Sequence, residues 1–247
     1  MQKETTTGGY NIMQKVRLIL FDLDNTLLHL HEYWEESMKE AFRLMTITST
    51  IETNELYGVF KEQDELYCKL YDEGVISLWE FRRDRFIKTM EHFDKIVTEE
   101  DAILFHELFT SLTKYYIKPS VKVDRTLALL SEKYFVGIVT NGTPNFQRNL
   151  IKQTGLNRYF KDEHLFISEE VGFSKPSKEI YQMAMDSFQV AADEVIFVGD
   201  SIKNDVIAPM GHGMLAIWVN NHGESLPADV TPFAIITSIE QLEPILL

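Results

Sequence analysis

A short apolar segment that ends in two aspartates most constrains the fold of this chain. It reads VRLILFDLDNT over residues 16–26, and its apolar run stops at Asp22, with Asp24 two residues later. Such a run, rich in Ile and Leu, is typical of a strand buried on both faces in a parallel sheet. Carboxylates cannot lie inside that sheet, so we expect both at the strand's carboxyl end, where α/β sheets bind ligands. Asp-Asn-Thr after a strand is also ordinary turn chemistry, so this segment alone leaves a turn and a site open.

The composition allows a large core and excludes some partners. Of the 247 residues 45% are hydrophobic, enough for one large domain or for a domain with an insertion. Lys and Arg number 24 against 38 Asp and Glu, a formal charge of −14. A chain this acidic is a poor candidate for non-specific binding to nucleic acid polymers or anionic membranes. A phosphate-bearing ligand would therefore need a local positive group or a metal ion.

The N-terminal region and the cysteine content indicate a cytoplasmic protein. Residues 1–12 are polar and lack the apolar stretch of a signal peptide, so we expect a loose N-terminal tail there. No apolar run approaches transmembrane length. A single cysteine, Cys68, rules out an intramolecular disulfide, which agrees with a reducing compartment.

Helical periodicity dominates the chain after the first strand. Apolar residues recur at helical spacing over about 32–44 and about 55–71, and Gly74 breaks the second pattern. Ser77, with Glu80 three residues later, predicts a helix N-terminus. Thr98 predicts the start of a further helix that lasts to about residue 116, with Pro119 marking its end. We therefore expect an all-helical domain over residues 28–118.

Strands and helices alternate in the remainder of the chain. Short apolar runs predict strands over 135–139, 165–167, 195–198, 215–219 and 234–236, with helices between them. This alternation indicates right-handed crossovers and a parallel sheet, to which the first strand also belongs. The predicted fold class is α/β: a Rossmann-like parallel sheet core flanked by helices, over 13–27 and 119–247, with the all-helical domain inserted after its first strand.

Polar residues follow four of these strands, and parallel strands bring such ends to one edge of the sheet. Asp22, Asp24 and Asp200 supply the hard oxygen ligands that Mg²⁺ prefers, and carboxylates in one place repel each other unless a cation is present. A lysine and a hydroxyl nearby suit a phosphoryl group. Each segment by itself is ordinary turn or cap chemistry, but together they predict a site. The remaining candidates are Thr140, Asn141, Gly142, Lys175 and Asp205.

These four segments resemble, in order, the four motifs of the haloacid dehalogenase-like (HAD) hydrolase superfamily. The resemblance extends from about residue 16 to about residue 219. It rests on Asp-x-Asp-x-Thr at 22–26, on Thr140, on Lys175 and on Gly-Asp-Ser-x-x-Asn-Asp at 199–205. Asp22 is similar to the family's nucleophile, which forms an aspartyl-phosphate, and Asp24 to its general acid and base, whose backbone carbonyl also binds the metal.

The same resemblance implies roles for the other candidates. Thr140 and the backbone amides of Asn141 and Gly142 would hold the phosphate oxygens, and Lys175 would neutralise charge at the nucleophile. Asp200 would bind Mg²⁺ together with Asp22 and Asp24, and Asp205 would support the metal site.

The helical insertion resembles the family's cap, which closes over the site and contacts the leaving group. We expect selectivity for the substrate from this region, with Tyr33, Trp34, Trp79 and Arg85 as candidates. Structural interpretations compete with each of them: Trp79 is a candidate for the core of the helical bundle, and arginines such as Arg85 more often lie on a solvated face.

The resemblance implies Mg²⁺-dependent hydrolysis of small phosphate monoesters by a monomer or small homo-oligomer. Segments such as FDLDNTL are similar to pyrimidine 5′-nucleotidases and N-acylneuraminate-9-phosphatases, which suggests a nucleoside 5′-monophosphate as substrate. A sugar-phosphate or phosphoglycolate-type phosphatase and a sugar phosphomutase remain open. A non-catalytic binding protein fits the intact motif set less well, and haloacid dehalogenases lack the second aspartate, present here as Asp24.

Overall fold

The chain folds into two compact units in a computed structural model that describes residues 14–221 and 223–247, with the side chains of Leu30, His31, Glu32 and Asp72 left out. One unit comprises the chain up to Leu30 together with Lys118–Leu247, and the other comprises His31–Ile117. The predicted tail over residues 1–12 lies outside the described residues.

The first unit is built on a six-stranded parallel sheet, which confirms the predicted fold class. The strands are β1 (Leu18–Phe21), β2 (Phe135–Thr140), β3 (Leu165–Ile167), β4 (Val195–Gly199), β5 (Leu215–Val219) and β6 (Ala234–Ile236). Their spatial order is β3-β2-β1-β4-β5-β6, and every neighbouring pair is parallel. β1 is central and fully buried, because all four of its side chains are apolar.

Helices connect these strands. The first unit contains α5 (Val121–Ser131), α6 (Pro144–Gln153), α7 (Ser168–Val171), α8 (Lys178–Phe188), a wider π-helical turn (Ile202–Ile207), α9 (Ala208–Gly211) and α10 (Glu243–Leu246). Short 3₁₀ turns lie at Leu156–Arg158, Asp162–His164, Ala192–Glu194 and Ile239–Leu242. The apolar face of α8 packs on the sheet through Ile180, Tyr181 and Ala184, which cluster with Leu18 and Phe197.

The second unit consists of helices: α1 (Leu30–Leu44), α2 (Thr53–Asp72), α3 (Leu78–His92) and α4 (Glu99–Tyr116), with a 3₁₀ turn at Thr46–Thr48. The predicted N-termini are confirmed. Ser77 caps α3 in a capping box, and the Ser77 amide donates to Glu80 Oε2 at 2.7 Å. Thr98 caps α4 in the same way with Asp101.

An aromatic core holds this helical unit together. The rings of Phe42 and Phe105 stack with centroids 4.6 Å apart, and Phe86 stacks on Phe105 at 4.8 Å. All three side chains are buried, so each removes a large apolar surface from water. Across the described part of the chain, no helix combines the length with the apolar composition that crossing a membrane requires.

Candidate active site

The sheet's strand order places the aspartate motif at its switch point. β1 lies between β2 and β4. Strands β2 and β3 therefore lie on one side of β1 in the sheet, and β4, β5 and β6 lie on the other. In open α/β sheets, ligands bind at the carboxyl ends of the strands beside this point. Asp22 follows β1 directly and Asp200 follows β4, and the Asp22 amide donates to the carbonyl of Val198 at 2.9 Å. Two predicted carboxylates therefore leave adjacent strands at one edge.

Lys175 lies between two buried carboxylates. Its Nζ donates to Asp22 Oδ1 at 2.6 Å and to Asp205 Oδ1 at 2.7 Å, and all three residues are at most 6% exposed. Burial by itself lowers the pKa of Lys175, but the charges of Asp205 and Asp22 outweigh it and hold that pKa above its ordinary value. The ammonium group is therefore charged, and it ties the β1 motif to the β4 motif.

A wider helical turn and a glycine position Asp205. The turn Ile202–Ile207 follows β4 and buries Asp205, whose Oδ2 accepts a hydrogen bond from the Ser201 amide at 3.0 Å. π-helical turns are rare and often occur at functional sites. A Cβ atom at Gly199 would overlap the Asp205 carboxyl group, so the last residue of β4 must lack a side chain for Asp205 to approach.

Three carboxylates form a group that can hold a metal ion. Ligand atoms of Asp22, Asp200 and Asp205 all lie within 4.8 Å of one another. Burial, followed by repulsion from Asp22 and Asp205, raises the pKa of Asp200 to about 8. Burial also raises the pKa of Asp205 to about 6, although Lys175 opposes the rise. These hard oxygen donors with uncompensated negative charge fit Mg²⁺. Because Lys175 and Ser201 engage the two oxygens of Asp205, its position suits support of the metal more than direct ligation.

Asp24 has a different environment from Asp22. Burial of its carboxyl group, followed by the charge of Asp22, raises the pKa of Asp24 to about 7. The side-chain amide of Gln147 donates to Asp24 Oδ2 at 2.9 Å, and Asp24 Oδ1 is buried without a hydrogen-bond partner among the described residues. A carboxyl group with a pKa near neutrality can both give and accept a proton at physiological pH.

The β2 end brings the remaining predicted residues to the same edge. Thr140 is the buried last residue of β2, and the Asn141 side chain donates to the Lys175 carbonyl at 3.0 Å and accepts from the Lys175 amide at 2.8 Å. Asn141 thereby fixes the loop that carries Lys175. The Gly142 amide donates to Ser168 Oγ at 3.0 Å, and contact of Thr140, Asn141 and Gly142 with a phosphate stays a prediction.

Two polar residues at this edge were missing from the sequence prediction. Ser168 begins α7 after β3, and Gln147 is buried on α6. The sequence does contain a signal for Gln147. Gln147 lies on the same helical face as Leu150 and Ile151, which follow it at i+3 and i+4. A side-chain amide on such an apolar face is buried, and a buried amide needs a polar partner.

The four selectivity candidates lie in the helical unit, or at its start, and make contacts there. Arg85 is buried, pairs with Asp64 and lies over the rings of Phe81 at 4.4 Å and Phe60 at 5.2 Å. Its charge is already met, which favours a structural role. Trp79 Nε1 donates to Glu99 Oε1 at 3.0 Å.

The other two candidates belong to α1. Tyr33 is buried, and Trp34 packs edge-on against Phe109 with ring centroids 4.7 Å apart. Selectivity through any of the four residues stays a prediction.

The chain belongs to the haloacid dehalogenase-like hydrolase family, whose model matches residues 16–212. It is 26% identical to HAD-hydrolase YfnB of Bacillus subtilis over 95% of this chain and 97% of that protein. It is 27% identical to the pyrimidine 5′-nucleotidase YjjG of Escherichia coli, over 92% and 96% of the two chains. It is 29% identical to the glyceraldehyde 3-phosphate phosphatase of Pyrococcus furiosus, over 95% and 94%.

A solved structure has the same fold. The magnesium-bound structure of YfnB from Bacillus subtilis matches with a TM-score of 0.80 at 24% identity, covering 94% of this chain and 98% of that one. The family assignment confirms the resemblance found in the motifs.

Proposed function

We propose that this chain is a Mg²⁺-dependent phosphatase that hydrolyses small phosphate monoesters through an aspartyl-phosphate on Asp22. The observation that carries the proposal is the buried arrangement at the switch point, in which Lys175 joins Asp22 to Asp205 beside Asp200. A charged lysine beside a nucleophilic carboxylate and a cation-binding group provides the charge neutralisation and positioning that phosphoryl transfer needs.

The residues that would hold the metal follow from the donor set. Asp22 and Asp200 would supply carboxylate oxygens, and Asp205 would support them. Asp24 would add its backbone carbonyl, as the resemblance to the family implies. A bound Mg²⁺ would neutralise charge on the phosphoryl oxygens during transfer. Lys175 adds a fixed positive charge at the nucleophile, and Thr140 with Asn141 orients the phosphoryl group at the end of β2.

Asp22 and Asp24 divide the chemistry between them. The Asp22 carboxylate attacks phosphorus, the bond from phosphorus to the ester oxygen breaks, and Asp24 gives its proton to the departing alcohol. Asp24, now ionised, takes a proton from water, whose oxygen attacks the phosphorus of the aspartyl-phosphate. Inorganic phosphate leaves, and both aspartates return to their starting states. A pKa of about 7 for Asp24 supports this double role.

Relatives guide the choice of substrates. Two of them are named as a pyrimidine 5′-nucleotidase and a glyceraldehyde 3-phosphate phosphatase, and a further one, from Vibrio parahaemolyticus, as a phosphoglycolate phosphatase. The substrate that each of these three names contains is a small phosphorylated metabolite. We propose a substrate of this class, with nucleoside 5′-monophosphates as the first group to test, and a cytoplasmic location.

The experiment is a panel of phosphate esters assayed for released phosphate with Mg²⁺ and with EDTA. The panel holds nucleoside monophosphates, glyceraldehyde 3-phosphate, phosphoglycolate, sugar phosphates and an aryl phosphate. We expect Mg²⁺-dependent release from the wild type and at least about a 10³-fold loss in Asp22→Asn, because the nucleophile is removed. The exposed Asp229→Asn is the matched control. Undiminished release by Asp22→Asn would refute the proposal.

Other outcomes identify the alternatives. Isomerisation of a sugar phosphate without release of phosphate would indicate a phosphomutase. Release of halide from a haloacid, with no turnover of any phosphate ester, would indicate a dehalogenase. Absence of both Mg²⁺ binding and turnover would indicate a binding protein on this scaffold.

A further inference from the structure

Gln147 makes contact with three residues of the candidate site through one amide group. Its Nε2 lies 2.9 Å from Asp24 Oδ2, 3.3 Å from the carbonyl oxygen of Asn141 and 3.4 Å from Thr140 Oγ1. The side chain is buried in the first half of α6, at 2% exposed. The hydrogen bond from this buried donor to Asp24 Oδ2 is charge-assisted when the carboxyl group is ionised.

The orientation of this amide is fixed by its surroundings. The Asn141 carbonyl is an acceptor in every protonation state, so the NH₂ end of Gln147 must face it, and that end also faces Asp24. The opposite atom, Gln147 Oε1, is buried without a hydrogen-bond partner among the described residues. Rotation of the amide would place two oxygens against each other at the Asn141 carbonyl.

Gly142 makes room for this contact. A Cβ atom at Gly142 would lie 2.6 Å from Gln147 Nε2, closer than a side chain can approach. The glycine that follows β2 therefore does more than allow a turn, because it lets the Gln147 amide reach the carboxyl group of Asp24.

We propose that Gln147 is the positioning residue of the proton-transferring aspartate, a role that rests on the proposed function. By holding Oδ2 of Asp24, it fixes the rotation of the carboxyl group and leaves Oδ1 for the departing alcohol and the incoming water. Oδ1 is the buried Asp24 oxygen that lacks a hydrogen-bond partner in the described part of the chain. Gln147 acts through Asp24 and does not itself exchange a proton.

The test uses Gln147→Met, which keeps the length of the side chain and removes the donor. Aryl phosphates with progressively better leaving groups, from phenyl to 2,4-dinitrophenyl phosphate, are compared by kcat/KM, which reports departure of the alcohol. A poor leaving group needs the proton of Asp24, so we expect about a 10²-fold loss with phenyl phosphate and only a few-fold loss with the dinitrophenyl ester. The exposed Gln153→Leu at the end of α6 is the matched control.

A purely structural role predicts a different pattern. It would lower kcat/KM by one factor across the series, and that result, or an unchanged kcat/KM, would overturn the inference. In an Asp24→Asn background the Met substitution should cause little further loss, because the group it positions is already gone. Additive losses would also overturn it.

A second variant keeps the inference testable if the Met variant fails to fold. Gln147→Leu also removes the donor and adds no charge beside Asp24, and the same dependence on the leaving group is expected. Failure of the proposed function is distinguishable, since the wild type would then release no phosphate or Asp22→Asn would remain active.

Discussion

The carboxylate of Asp200 destabilises the metal-free protein, so we predict that Asp200→Asn makes it more stable. Asp200 faces Asp22 and Asp205, with ligand atoms of the three within 4.8 Å of one another. At an effective dielectric constant of about 20, two such charges at that separation repel by about 3.5 kcal/mol. Burial of the carboxylate adds to these two repulsive pairs and attraction to Lys175 offsets them in part, so we expect a net gain of about 3 kcal/mol or more for the neutral side chain.

The stability that Asp200→Asn gains should depend on pH, and the raised pKa of Asp200 fixes the direction of that dependence. The pKa of Asp200 rises from 3.8 to about 8 on folding, so the folded state binds a proton more tightly than the unfolded state does. Stability is therefore lost as the pH rises above about 4, and the loss is nearly complete by about pH 8. We expect the gain from Asn to rise until it levels off above about pH 8, and to be about a third as large at pH 5 as at pH 7.5.

Denaturant unfolding in EDTA measures the effect, with the exposed Asp229→Asn as the control for loss of one carboxylate. Addition of Mg²⁺ should stabilise the wild type more than the variant, because binding to the folded state alone raises stability and the variant lacks a ligand. A variant that is equally or less stable than the wild type in EDTA at pH 7.5 would refute the electrostatic reasoning.

Three further predictions concern other charges and close contacts. Lys175→Met leaves Asp22 and Asp205 buried without their cation, and should lower the free energy of unfolding by about 3 kcal/mol or more and abolish phosphate release. Gly199→Ala displaces Asp205, and should destabilise by about 1–3 kcal/mol in denaturant unfolding and lower affinity for Mg²⁺ in calorimetry. Burial lowers the pKa of His106 to about 3, so only the unfolded state gains a proton at this residue just below about pH 6.5. The contribution of His106 to stability should therefore fall by about 2 kcal/mol from pH 8 to pH 5, and the difference in stability between wild type and His106→Gln in urea titrations should change by that amount.

The sheet and the carboxylates at its edge were predictable because their signals are local. Each strand is a short apolar run, and all six lie within two residues of the predicted bounds at both ends. The parallel arrangement follows from the alternation with helices, and it brings Asp22 and Asp200 to one edge without further information. The capping boxes at Ser77 and Thr98 depend on residues three positions apart, which a sequence displays directly.

The remaining features depend on contacts between residues far apart in the chain. Gln147 meets Asp24 across 123 positions, and no pattern within α6 indicates that partner. Arg85 donates a hydrogen bond to Asp64, 21 positions away on the preceding helix, and no sequence pattern indicates this partner. A sequence shows that a charge exists, but the partner that satisfies a charge is decided by packing.

In the proposed function this acidic chain binds an anionic substrate, and the charges at the switch point determine what such binding requires. The protein carries a formal charge of −14, which repels a phosphate ester at long range. When all three are ionised, the carboxylates of Asp22, Asp200 and Asp205 outnumber the single ammonium group of Lys175 by two, so the residues alone also disfavour phosphate. One divalent cation offsets the excess of two negative charges and adds a site for phosphoryl oxygens. In the proposed function, binding of the metal and binding of the phosphate would therefore depend on the same balance of charge, to which Lys175 contributes the fixed positive charge.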